Sequence, residues 1–138
     1  MRVIQLLQEK NHYLEKFYTL NETELLNFAQ ANFDGLETFY QTRERILEML
    51  AYIDRELDKC DLGPHIQISM EDRDLVRECL ATKEGYVNRI LAQDLEILSC
   101  IEKAKSAIIR ELQEVRKARK AMSGYRSGPA PSRLNEEA

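Results

Sequence analysis

From Met70 to Ser123 the chain contains no proline and a single glycine, Gly85. Proline and glycine are the strongest local punctuators of a chain, and their absence favours continuous helix. Before this run only Gly35, Gly63 and Pro64 occur. That is too few turn residues for a β-sandwich or an α/β sheet. The expected fold is therefore all-α: an elongated antiparallel helical bundle or coiled coil of three long helices. Gly85 is the one point at which the third could break. The length, 138 residues, suits one ordinary domain. Residues 1–123 are expected to form that domain, and 124–138 a disordered tail.

Apolar spacing divides the chain into segments. In the first, from about Met1 to Ala31, Ile4, Leu7, Leu14, Tyr18, Leu25 and Phe28 follow heptad spacing. Asn11 and Asn21 fill two seam positions, and Leu6, Phe17 and Leu20 flank the seam. Asn32, Asp34 and Gly35 suggest a tight turn or kink, with Asn32 or Asp34 able to cap the next helix. In the second segment Leu36, Phe39, Arg43, Ile46, Leu50, Ile53, Leu57 and Cys60 recur at alternating intervals of three and four. Tyr40 and Leu47 add a flanking column, wide enough to touch two helices. Gly63-Pro64 ends this helix, and Ser69 followed by Glu71 and Asp72 predicts the next N-terminus.

The third segment is disproportionate. A continuous helix over 70–123 would span roughly 80 Å, against about 43 Å for the second. It either folds back near Gly85 or outruns its partners. A distal half from Ile101 to Met122 would still carry Ile101, Ile108, Ile109, Leu112 and Val115. These must be covered by the first helix, a second copy or a client. The tail from Gly124 to Ala138 is too polar to order itself, although Tyr125, Arg126 and Leu134 could serve as a short docking element.

Charge and chemistry exclude much. The net charge is −4, with 9 basic and 5 acidic residues in 101–138 against 7 and 11 in 1–60. A basic end on an acidic body could meet nucleic acid, an acidic partner or a membrane surface, but cations also suit a helix C-terminus. Arg110, Arg116, Lys117, Arg119, Lys120 and Arg126 could line one helix end. Yet Leu112 and Val115 share that region and the chain is acidic overall, so nucleic acid is not an expected partner. No stretch of 18 apolar residues exists, and the opening Met1–Gln5 lacks a cleavage-site pattern. Neither membrane insertion nor a signal peptide is expected. Cys60, Cys79 and Cys100 read as reduced, packed thiols rather than a disulfide framework. Glu9 and His12 fit the Glu-x-x-His spacing of di-iron bundles, but no second such motif exists. Cys60 and His65 lack partners for a zinc site. No phosphate loop or nucleophile elbow is present. No enzyme activity and no cofactor or metal is expected.

Two stretches carry a family likeness. Ile4-Gln5-Leu6-Leu7-x-x-Lys10-Asn11-x-Tyr13-Leu14-Glu15-Lys16-Phe17 precedes Leu36-Glu37-x-Phe39-Tyr40-x-x-Arg43-Glu44-x-Ile46-Leu47. With the long final helix and the Ser123-Gly124-Tyr125 ending after a basic stretch, the arrangement resembles the FlgN/FliT-type flagellar export chaperones. The resemblance implies a cytoplasmic, non-enzymatic helical protein. It would bind the C-terminal helices of late axial proteins, such as hook–filament junction or cap subunits. It would prevent their premature assembly and deliver them to the type III export apparatus.

Amphipathic pattern gives the expected client groove as Ile97, Ile101, Ile108, Leu112 and Val115, with anchors at helical spacing. Arg116, Lys117, Arg119 and Lys120 form the expected basic patch that steers an acidic partner. The competing expectation is a structural coiled-coil or adaptor protein that homodimerises through its long C-terminal helix, without client delivery.

Overall fold

The structure, a computed structural model, describes residues 1–60, 63 and 66–127, and for 124–127 the backbone alone. Three helices account for nearly all of it: α1 (Arg2–Ala29), α2 (Leu36–Asp58) and α3 (Met70–Ser127). No strand occurs among the described residues. At 58 residues α3 is longer than α1 and α2 together, which have 28 and 23. It continues without a break through Gly85, where an added Cβ would meet nothing within 4 Å. Its backbone also runs on through Gly124 to Ser127, past the expected end. The remainder of the expected tail, with Leu134, lies outside the described residues, as does His65. The side chains of Tyr125 and Arg126 are likewise outside them.

The chain divides into two units, residues 1–97 and 98–138. In the first, α1, α2 and residues 70–97 of α3 form a three-helix bundle. Near one end Val3 and Leu7 of α1 pack with Cys79 and Val76 of α3 and Leu57 of α2. Further along, Leu14 and Phe17 meet Ile46 and Ile90. These pairings set α2 antiparallel to both neighbours and α1 parallel to α3.

The α2 column is seated as its spacing predicts. Phe39, Ile46 and Ile53 are buried, and Leu36, Arg43, Leu50 and Leu57 are half-buried between them. The flanking column is not: Tyr40 and Leu47 are exposed. On α1 the buried set is Val3, Leu7, Leu14, Phe17, Asn21, Glu24 and Phe28, with Ile4 and Leu6 beside it. Relative to the expected seam, two positions have moved back by one residue: Phe17 displaces Tyr18 and Glu24 displaces Leu25, while Ile4 is buried as expected. The cause is that α1 faces two helices, and its buried face centres between them.

Local chemistry explains the helix ends. Ala31 has φ 57°, a left-handed conformation. Its N–H donates to Phe28 O at 2.9 Å, and the Asn32 N–H donates to Asn27 O at 2.9 Å. This is the paired-bond geometry that closes a helix C-terminus, usually with glycine in the left-handed position. Phe28 and Phe33 stack across the turn, with ring centroids 4.8 Å apart. Asn32 does not cap α2. Its Oδ1 instead accepts the Asp34 N–H at 3.1 Å, and Gly35 occupies the N-cap. The Ser69 expectation holds, since its Oγ accepts the Asp72 N–H at 3.1 Å. Such a cap contributes about 1 kcal/mol.

Candidate docking surface

Within the first unit, polar side chains tie the three helices together at one level. Arg43 of α2 donates two bonds to Asp94 of α3, Nη1 to Oδ1 at 2.8 Å and Nη2 to Oδ2 at 3.0 Å. Its Cζ lies 4.8 Å from the centre of the Phe17 ring. The hydrogen bond to Asp94 raises the Arg43 pKa and keeps the guanidinium charged. Asn21, fully buried on α1, donates from Nδ2 to Gln93 Oε1 and Asp94 Oδ1. Gln93 in turn donates from Nε2 to Tyr18 O and Glu22 Oε1. Asn11 donates to Cys79 O at 3.0 Å. The two asparagines of the α1 seam therefore both bond to α3 and fix its register against α1, a role polar seam residues commonly take.

Three buried oxygens among the described residues lack a hydrogen-bond partner: Asn11 Oδ1, Asn21 Oδ1 and Glu24 Oε1, of which only the last belongs to an ionisable group. Glu24 is buried, and its Oε1 has no hydrogen-bond partner. Burial raises its pKa, because an apolar setting penalises the carboxylate. Cys79 is also buried, and its thiol pKa is pushed up by burial first and by Glu78 second. A buried thiol with a raised pKa is a packing residue. No group of three or more potential metal ligands occurs among the described residues.

The surface of the first unit carries a groove that periodicity does not reveal. It is about 680 Å³, and Tyr13, Lys16 and Leu20 of α1 face Thr42, Arg45 and Met49 of α2 across it. It exists because these positions flank both seams, so neither helix's apolar stripe identifies it.

The residues expected to form a client groove divide between the units. Ile97 is 4% exposed and belongs to the core of the first unit. It cannot contribute to an open surface. Ile101 is half-buried, while Ile108, Leu112 and Val115 are 57%, 55% and 50% exposed. These four lie on residues 98–123 of α3, a single helix, where they form a stripe rather than the walls of a groove.

Leu98 and Met122, both exposed, extend that stripe. The complete pattern is Leu98, Ile101, Lys105, Ile108, Leu112, Val115, Arg119 and Met122, at intervals alternating three and four. Heptad spacing over this stretch was legible in the sequence once Leu98 replaced Ile97 as its first member. Ile109, also exposed, widens the stripe on one side. Arg116, Lys117, Arg119 and Lys120 are all exposed, and Lys117 Nζ lies 3.9 Å from Glu114 Oε1. Lys105 and Arg119 interrupt the stripe, but exposed apolar residues recurring on one helix face are a common mark of a docking surface.

No helix among the described residues is long and apolar enough to cross a membrane. Comparison of the chain with protein-family models, curated proteins and solved structures returns no match.

Proposed function

We propose that the protein is a cytoplasmic flagellar export chaperone of the FlgN/FliT type. It holds an amphipathic C-terminal helix of a late axial protein, from the hook–filament junction or the filament cap, against residues 98–123. It then presents that client to the type III export apparatus. The observation that carries the reading is the exposure of Ile108, Leu112 and Val115 at helical spacing along one face of residues 98–123, beyond the packed bundle of residues 1–97. An amphipathic helix reads such a stripe with anchors at i, i+3, i+4 and i+7. Covering the client's own apolar face blocks its polymerisation. The exposed cations Arg116, Lys117, Arg119 and Lys120 steer an acidic client toward the stripe. No catalytic step is part of this role.

The heptad spacing of 98–122 favours a second reading, a structural coiled-coil or adaptor protein that dimerises permanently through α3. Co-purification with late axial proteins separates the two. The chaperone captures its client, and Ile108→Asp abolishes capture while leaving helicity intact. A permanent dimer that no axial protein enters supports the scaffold instead.

A further inference from the structure

The stripe on residues 98–123 is complementary to itself when reversed. We infer that a second copy of this chain covers it in an antiparallel pairing, as a reversible cover over the surface proposed above for the client. This inference rests on that reading only for what displaces the cover.

Consider the two orientations. Side by side and parallel, each core position meets its own copy. Lys105 would stack on Lys105 and Arg119 on Arg119, two like-charge layers at the seam. Antiparallel, with Leu98 opposite the second copy's Met122, both clashes disappear. Lys105 then faces the second copy's Val115, and Arg119 faces its Ile101. Ile108 and Leu112 face each other twice about the centre. An isologous contact of this kind needs residue i to meet j while j meets i, and the spacing 98-101-105-108-112-115-119-122 satisfies it.

The flanking positions agree. Ile109 meets the second copy's Ile109 at the two-fold axis, which accounts for an exposed isoleucine beside the seam. Glu102 comes opposite Arg116 of the second copy, and the symmetry repeats that attractive pair. Reversed helices also oppose their macrodipoles favourably. Against this, Glu111 meets its own copy, and four of the eight layers contain one cation. Cations at core positions specify orientation at a cost in stability. The cover is consequently weak enough to exchange for an amphipathic client helix whose apolar face carries no cation.

Single-cysteine variants test the orientation. Leu98→Cys and Met122→Cys are each placed in a Cys60→Ser, Cys100→Ser background of the full chain, mixed in equal amounts and oxidised. Both positions are exposed, so neither substitution disturbs the bundle. The antiparallel cover gives predominantly the mixed 98–122 disulfide. In that pairing two copies of residue 98 are roughly 36 Å apart along the helix axis. Predominant 98–98 and 122–122 products overturn the inference, as does a monomer by light scattering throughout the micromolar range. The locked dimer is then offered the C-terminal helical peptide of a hook–filament junction protein. Binding weakened at least tenfold and restored by reductant supports the cover. Equal binding with and without reductant overturns it. A mixed disulfide that forms while no axial peptide binds in either redox state supports the pairing and removes the chaperone reading.

Discussion

Arg43 and Asp94 form a two-pronged ion pair between α2 and α3, with both N–O distances at or below 3.0 Å. The arginine also covers the Phe17 ring of α1, so one side chain joins three helices. Two parallel bonds fix direction as well as distance, which a lysine cannot reproduce. Asp94→Ala removes the acceptor for Arg43 and one acceptor for the buried Asn21. Urea denaturation should show a loss of about 1–3 kcal/mol. Arg43→Lys should recover less than half of the wild-type stability advantage over Arg43→Ala.

Glu24 is expected to oppose folding at neutral pH. Its pKa is raised in the folded chain by burial. The penalty is therefore fully present above the raised value and relieved as pH falls through it toward the ordinary glutamate range. Glu24→Leu should stabilise the protein by about 1–3 kcal/mol at pH 7. The advantage over wild type should shrink progressively as the pH is lowered toward 4. Denaturation midpoints measured across that range check both the sign and the direction.

Ala31 stands where the backbone prefers glycine. At φ 57° its Cβ is strained, while its N–H and that of Asn32 complete the end of α1. Ala31→Gly should relieve roughly 1 kcal/mol of strain, less the entropy of a freer unfolded chain. A thermal midpoint raised by a few degrees is the expected outcome.

Gly85 presents the reverse case, a glycine inside a continuous helix with open space beside it. Gly85→Ala should stabilise by about 0.5–1 kcal/mol without reducing helicity by circular dichroism. A loss of stability would mean that the helix needs to yield at this point.

Much of the fold is legible in the sequence. The central α2 column is readable from its unbroken alternation of three and four, and Phe39, Ile46 and Ile53 are buried accordingly, whereas the flanking Tyr40 and Leu47 stay exposed. The cap at Ser69 is equally plain from the acids that follow it. In α1 the buried face takes Phe17 and Glu24 in place of Tyr18 and Leu25, because apolar spacing shows the width of a buried face but not which neighbours divide it. On α3, apolar residues occupy more than one face. Ile90 and Ile97 enter the core while Leu91, Leu95 and Leu98 stay exposed, and counting them does not reveal which set the bundle takes. Gln93 is polar and still buried, since Asn21, Glu22 and Tyr18 satisfy it. Only contacts with α1 disclose that. For the docking stripe, Ile108, Leu112 and Val115 were readable as a surplus that two shorter helices could not cover. Ile97 borders that surplus in sequence but faces the core.

Residues 98–123 are proposed to receive a helix from a late flagellar axial protein. Calorimetric titration of the C-terminal helical peptides of junction and cap proteins tests it most directly. Three proteins serve: wild type, Ile108→Asp on the stripe, and Leu26→Asp at a comparably exposed leucine of α1. The expected outcome is saturable binding of at least one peptide by wild type and Leu26→Asp, weakened at least tenfold by Ile108→Asp. Binding that Ile108→Asp leaves unchanged, or no binding of any such peptide by wild type, contradicts it.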